Sequence, residues 1–222
     1  MADITITGLF EEGHTIAWRL FEEKVYPWEI LPEISDFIIE KGKTLSSEEY
    51  TLIGDNIWIS RSAVVAPSAC INGPCIIESD AQIRHCAYIR GSAIVGKGAV
   101  VGNSCELKNC ILFDGVQVPH FNYVGDSVLG FKSHMGAGSV TSNVKSDKTL
   151  VVIKNEGELI ETGRKKVGAF LGDGVEIGCN SVLCPGSVIG KNSTVYPTSC
   201  VRGTIPSNSI YKKDGVIVEK HN

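Results

Sequence analysis

The sequence predicts an all-β fold, a parallel β-helix, and three observations predict it. Between Ile53 and Pro206 a six-residue word recurs: an aliphatic residue, then a small or turn-forming one, with a second, commonly small residue four places after the first. Ile53-Gly54-x-x-Ile57, Val65-Ala66-x-x-Ala69, Val95-Gly96-x-x-Ala99, Val101-Gly102-x-x-Cys105, Leu183-Cys184-x-x-Ser187 and Ile189-Gly190-x-x-Ser193 are examples. A unit this short cannot bury its apolar face alone and gains a core only by stacking on its own repeats. The second observation is 24 glycines, which suit a solenoid with many corners. The third is the alternation inside each word, which sends Ala99 and Val101 inward and Val100 outward.

Ahead of the hexads, residues 1–51 read as a helical segment and link. Leu9, Phe10, Ile16, Ala17, Leu20 and Phe21 fall at helical spacing, Pro27-Trp28 breaks the pattern, and Ile30, Leu31, Ile34, Phe37, Ile38 and Ile39 predict a second helix stopped by Gly42. A polar stretch from Lys43 to Tyr50 leads into the solenoid, which is expected over 52–207.

Three words make one triangular coil, so each outer face recurs about every 18 residues. Two words are one residue short, Leu107 to Ile111 and Val124 to Val128. With that correction one face shows Trp58, Ile76, Ile94, Ile111 and Val128, all apolar. Such a stripe needs a cover, either the N-terminal helices or another subunit. The second face shows Val64, Gln82, Val100, Gln117 and His134; the third shows Cys70, Tyr88, Glu106, Tyr123 and Val140. The hexads stop over residues 143–166, where Thr149 to Ile153 and Glu158 to Ile160 flank Asn155-Glu156-Gly157 and predict an ejected hairpin. A tail over 208–222 carries a candidate strand at Val216-Ile217-Val218.

Composition narrows the function. Apolar content of 43%, charge of 21% and a net charge of -4 are those of a folded protein without a global basic field, so neither nucleic acid nor a membrane surface is an expected partner. Met1-Ala2-Asp3-Ile4-Thr5 does not open like a signal peptide and no apolar run spans a bilayer, so the expected location is cytoplasmic. The eight cysteines contain no Cys-x-x-Cys pair and Cys105 occupies an inward slot, so they read as small apolar residues in a reducing compartment. Zinc needs three or four convergent ligands; His85 and His120 share a corner two coils apart with no third histidine beside them, so no metal is expected.

The third face gathers the candidate chemistry. His120 sits at the corner where the chain turns onto it, Tyr123 points outward from the same strand, and Arg90 and Lys108 lie at its far corner. With coils about 4.8 Å apart and about 3.3 Å per strand residue, the four fall within roughly 10 to 15 Å, the span of a sugar phosphate. A neutral imidazole can take a proton from an attacking amine or hydroxyl, while arginine and lysine bind phosphate. Met135-Gly136-Ala137-Gly138-Ser139, next to His134, offers backbone amides for an oxyanion or carbonyl. His134 is expected one coil beyond His120 near the same edge. The spacing alone equally allows His120, Arg90 and Lys108 to be solvated corner residues.

Two stretches make the text more specific. Val118-Pro119-His120-Phe121-Asn122-Tyr123-Val124-Gly125-Asp126-Ser127, with Met135 to Asn143 after it, resembles the acetyltransferase domain of bifunctional N-acetylglucosamine-1-phosphate uridyltransferase/glucosamine-1-phosphate acetyltransferases. Gly163-Arg164-Lys165-Lys166-Val167-Gly168-Ala169-Phe170-Leu171-Gly172 is similar to the archaeal-type sugar-1-phosphate nucleotidylyltransferase/acetyltransferases, and Tyr26 to Leu31 resembles their interdomain linker helix. The resemblance covers nearly the whole chain. It implies a left-handed β-helix, a homotrimer with sites between subunits, and acetyl-CoA as co-substrate. It implies His120 as general base, Tyr123 beside it on substrate, Arg90 and Lys108 on the sugar phosphate, and Asn143 on the acceptor. Lys148 is a looser match to a loop lysine, the Ala137 amide lies against the acetyl group, and Cys179 stands at a coenzyme A contact. The chain departs from the bacterial enzymes at His134, Val144 and Cys179, where they carry asparagine, tyrosine and serine. It has no nucleotidylyltransferase signature. The expected activity is acetyl transfer to the amine of an amino-sugar 1-phosphate. The alternatives are another hexad acyltransferase acting on sugars or nucleotide sugars, and a non-catalytic trimeric partner of a nucleotidylyltransferase.

Overall fold

The computed structural model describes residues 2–221. It is the parallel β-helix that the hexads predict, left-handed as the resemblance implies, each triangular coil contributing one short strand to each of three faces. The registers are those counted from the sequence. On the first face Trp58, Ile76, Ile94, Ile111 and Val128 stack in one column that continues through Phe170 and Val188. On the second, Val64, Gln82, Val100, Gln117 and His134 run on to Glu176 and Thr194. On the third, Cys70, Tyr88, Glu106, Tyr123 and Val140 continue to Val182 and Cys200. Parallel stacking extends to the Ser209–Tyr211 strand, against which Ile217–Glu219 folds back antiparallel.

The two shortened words have a physical consequence. There the third-face strand passes straight into the first-face strand, giving single strands Glu106–Leu112 and Tyr123–Leu129. Each takes its corner on one left-handed residue, Asn109 at φ 50° and Asp126 at φ 49°. Asn and Asp tolerate that conformation better than other side-chain-bearing residues. These two corners stack, and the candidate site is built on them.

The N-terminal segment departs from expectation. In place of a helix from Leu9 to Phe21 it has one turn at Ile6–Leu9 and a 3-10 turn at Trp18–Leu20; Gly13, at φ 93°, interrupts the run between them. The second helix forms over Ile34–Gly42. Gly42 has a packing reason beyond ending the helix, because a Cβ there would collide with the Trp58 indole. Together these pieces cover the apolar stripe: Ile76, Ile94, Ile111 and Val128 are fully buried and Trp58 nearly so. Phe10 and Phe21 pack on Phe113 at ring separations of 5.0 and 5.7 Å, and Trp28 reaches Phe170 at 5.8 Å. The chain thus covers its own stripe, which therefore gives no argument for a second subunit.

The hairpin forms from Val152–Asn155 and Glu158–Glu161 around Glu156-Gly157, both at positive φ as a tight two-residue turn requires. It folds back over the C-terminal end of the first face. Val151 and Ile153 are buried, and Asn155 donates to the Ala2 carbonyl at 3.0 Å and accepts from Thr204 at 2.9 Å.

Candidate active site

Asp126 is the hub of the site. Its carboxylate is 2% exposed and accepts from Lys108 Nζ at 3.0 and 3.2 Å, from Asn109 Nδ2 at 2.9 Å and from Asn143 Nδ2 at 2.6 Å. Asn143 also donates to the Tyr123 hydroxyl at 3.2 Å. Three of the residues singled out in the sequence, Lys108, Tyr123 and Asn143, therefore meet through a fourth that was not. A buried carboxylate holding this many donors fixes their positions, since a lost partner would leave desolvated charge behind. Burial raises the Tyr123 phenol above its ordinary value, with the charges of Asp126 and Glu106 adding to it, so the hydroxyl stays neutral.

Arg90 is exposed on the preceding coil, in ladder register with Lys108, and its Nη1 lies 2.7 Å from Glu106 Oε1. Both cations expected to hold phosphate thus already face carboxylates, Arg90 a half-buried one and Lys108 a buried one.

His120 ends the Gln117–His120 strand. Its backbone N–H donates to Asn122 Oδ1 at 3.0 Å, and Asn122 in turn donates to the Gly136 and Ser139 carbonyls at 2.9 and 3.0 Å. That buried asparagine joins the histidine corner to the glycine-rich stretch of the next coil. The imidazole itself is exposed and forms no hydrogen bond among the described residues, unlike His85 on Ser68 and His134 on Glu176. Its two nitrogens are open to a ligand.

Continuing the registers of Gln117 with His134 and of His134 with Glu176 places His120, Ala137 and Cys179 at one position of three successive coils. The Asn180 N–H donates to the Ala137 carbonyl at 2.8 Å, whereas the Ala137 N–H meets no acceptor among the described residues. It remains available to an incoming carbonyl or oxyanion. Cys179 is exposed at the same edge.

His134 lies one coil beyond, on the second face opposite Gln117 as the register count expects, and its Nδ1 lies 2.8 Å from Glu176. Lys148 is exposed near the start of the loop, and among the described residues its side chain makes no hydrogen bond to Asp126, Lys108 or Asn143. The loop residues that approach are Arg164, Lys165 and Lys166, which with Leu31, Pro32, Lys108, Asn109 and Asp126 line an open cleft of about 550 Å³. Val144 bridges to Lys166 and Val167 N–H donates to the Asn143 carbonyl at 3.0 Å, so the loop closes back on its own base. The sequence signal for this cleft is the charge of the basic run Arg164-Lys165-Lys166.

All eight cysteines are free. Cys75, Cys105 and Cys110 are buried as small apolar residues, and burial pushes the Cys75 and Cys110 thiols up to about 12. Cys70, Cys86, Cys179 and Cys200 are exposed, contrary to that reading. Among the described residues no three His, Cys, Asp or Glu side chains are grouped to hold a metal, and no helix is long and apolar enough to cross a membrane.

Comparison with known proteins identifies relatives of the chain. The chain is 33% identical over 198 residues to "Bifunctional protein GlmU" of Methanococcus maripaludis, covering 88% of this chain and 48% of that protein. It is 32% identical over 177 residues to the "Bifunctional sugar-1-phosphate nucleotidylyltransferase/acetyltransferase" of Sulfurisphaera tokodaii, covering 71% and 44%. The chain spans about half the length of the curated relatives it matches. Among solved structures, a point mutant of AntD, an N-acyltransferase from Bacillus cereus in complex with dTDP and coenzyme A, aligns at 18% identity and a TM-score of 0.35 over 75% of this chain and 82% of that one. The model of the GMPPB C-terminal domain matches residues 71–205, more than half of the chain. The chain belongs to the GMPPB C-terminal domain family.

Proposed function

We propose that this protein transfers an acetyl group from acetyl-CoA to the amine of an amino-sugar 1-phosphate. The observation that carries the reading is the pairing of the His120 imidazole with the Ala137 N–H at the same position on the next coil, both without a partner among the described residues. The acetyltransferase activity named for the Sulfurisphaera tokodaii relative supports it.

In the proposed reaction His120 takes a proton from the amine as the amine nitrogen attacks the thioester carbonyl. The developing oxyanion accepts from the Ala137 N–H, the C–S bond breaks, and the coenzyme leaves as a thiol after protonation. No acyl-enzyme forms, so Cys179 contacts the coenzyme without acting as a nucleophile. Tyr123 and Asn143, held by Asp126, place the sugar, and Arg90 and Lys108 take the phosphate. Lys166 is added to that set and Lys148 and His134 are secondary, given where they lie. A homotrimer that completes the site is part of the proposal, on the resemblance alone.

A specific observation favours a second reading. Glu106 and Asp126 already neutralise Arg90 and Lys108, as they would in an acyltransferase for an unphosphorylated acceptor or in a non-catalytic partner of a nucleotidylyltransferase. A hydrolysis-corrected acetyl-CoA assay over amino sugars with and without a 1-phosphate decides. Preference for the phosphorylated amines supports the first reading. Preference for the free sugars overturns its substrate class, and turnover only with an added nucleotidylyltransferase supports the partner role.

A further inference from the structure

We propose that Cys184 and Cys200 form a redox-active dithiol, a modification site that closes to a disulfide on oxidation by a hydroperoxide. Their sulfurs lie 3.6 Å apart, and among the described residues no other two thiols are in contact. The pair bridges neighbouring coils: Val182 pairs with Cys200 and Leu183 with Val201, which puts Cys184 one step past the ladder. Both backbones are already held. The Cys184 N–H donates to the Val201 carbonyl at 3.0 Å, and the Tyr211 hydroxyl donates to the Cys200 carbonyl at 3.1 Å. Closing the bond brings the sulfurs from 3.6 Å to a covalent distance of about 2.05 Å.

Access divides the roles. Cys200 is exposed, while Cys184 is 8% exposed. Burial, and then the neighbouring Cys200 thiol, raise Cys184 above the ordinary thiol value, with Arg202 opposing. Cys200 reacts first. Its thiolate attacks one peroxide oxygen, the O–O bond breaks, and a sulfenic acid forms as the other oxygen leaves as water (or as alcohol from an alkyl hydroperoxide). The Cys184 sulfur then displaces the sulfenic hydroxyl, which leaves as water with the Cys184 proton. Two thiols lose two electrons and two protons, and the O–O bond takes them up.

The bond joins the Val182–Leu183 and Cys200–Val201 strands near the C-terminal end of the third face, three rungs beyond Tyr123. A solenoid is held coil by coil through neighbour contacts, so a covalent rung there restrains fraying of the last coils.

The test is titration of the reduced full chain with hydrogen peroxide near neutral pH, followed by alkylation, non-reducing digestion and mass spectrometry. The expected product is an intramolecular Cys184–Cys200 peptide with two fewer alkylatable thiols, reversed by dithiothreitol, and a higher Tm than the reduced chain. Cys200→Ser, at an exposed position, should leave Cys184 unoxidised. Cys184→Ser should stop Cys200 at a sulfenic acid that dimedone traps. Over-oxidation of Cys200 without a cross-link in the wild type, or a disulfide formed first through Cys70, Cys86 or Cys179, would overturn the proposal.

Discussion

Asn143 donates to Asp126 at 2.6 Å, tying the first residue of the inserted loop to the left-handed corner of the coil below. The same carboxylate holds Lys108 and Asn109, so one buried charge sets both the mouth of the loop and the far corner of the third face. Removing it strands three donors. Asp126→Ala should cost about 2–4 kcal/mol in urea unfolding, toward the lower part of what breaking a buried pair costs because Lys108 is partly exposed. Asn143→Ala should cost less, about 1 kcal/mol, and should speed proteolytic cleavage within 145–162. A loop equally resistant in both variants would show that the hairpin's docking on the first face, and not this contact, holds it.

His120→Ala should lower kcat by roughly 10² to 10⁴, the range typical of a lost general base. Its imidazole makes no hydrogen bond among the described residues, so the Tm should stay within a degree or so of wild type. Near-normal turnover in the variant would remove the assignment.

Arg90 and Glu106 provide a test that runs in both directions. If a phosphate binds Arg90 it competes with Glu106 Oε1, now 2.7 Å away. Arg90→Ala should raise KM for the amino-sugar 1-phosphate and scarcely affect the free amino sugar. Glu106→Gln removes the competing charge and should lower the same KM. Loss of affinity in both variants would mean that the ion pair serves the fold.

The faces and their registers were legible because a period of two within each hexad leaves no freedom once the two short words are counted. Trp58 through Val128 were read as a stripe in need of cover, and they are covered. What covers them was not legible. Leu9 to Phe21 lie at helical spacing, yet tertiary contacts with Phe113 and the break at Gly13 override that weak preference. Asp126 was missed because the register puts it beside Asn109 without showing that its carboxylate is buried among donors. Lys166 was missed because only the hairpin's path brings residue 166 back beside 108.

Ile94 tests the cover directly. It is fully buried under the N-terminal segment. Ile94→Asp would place an unpaired charge there, so the expected outcome is failure to fold, seen as loss of the cooperative thermal transition. A folded Ile94→Asp chain of smaller size than wild type would instead mean that the stripe is an interface between copies.

Glu78 makes stability depend on pH. It is 1% exposed, and one carboxylate oxygen has no partner among the described residues. Burial is the main cause that pushes its carboxyl up to about 7, with Asp114 adding; Lys97, the Ile16 backbone and Lys41 oppose. Asp114 is itself raised by burial, and burial with the charges of Glu78, Glu49 and Asp114 pushes nearby Tyr50 to about 12. Below the unfolded value of about 4.5, Glu78 is protonated in both states and costs nothing. Between there and about 7 the folded chain keeps a proton that the unfolded chain has released, so stability falls as pH rises, and above about 7 the whole penalty is present. The difference corresponds to about 3 kcal/mol at most. Glu78→Gln removes the charge and nearly keeps the shape. Its urea midpoint should exceed that of wild type at about pH 8, and the gap should shrink toward about pH 4.5. A gap that stayed constant across that window would show that Glu78 keeps an ordinary pKa in the fold, and that its carboxylate is solvated or paired.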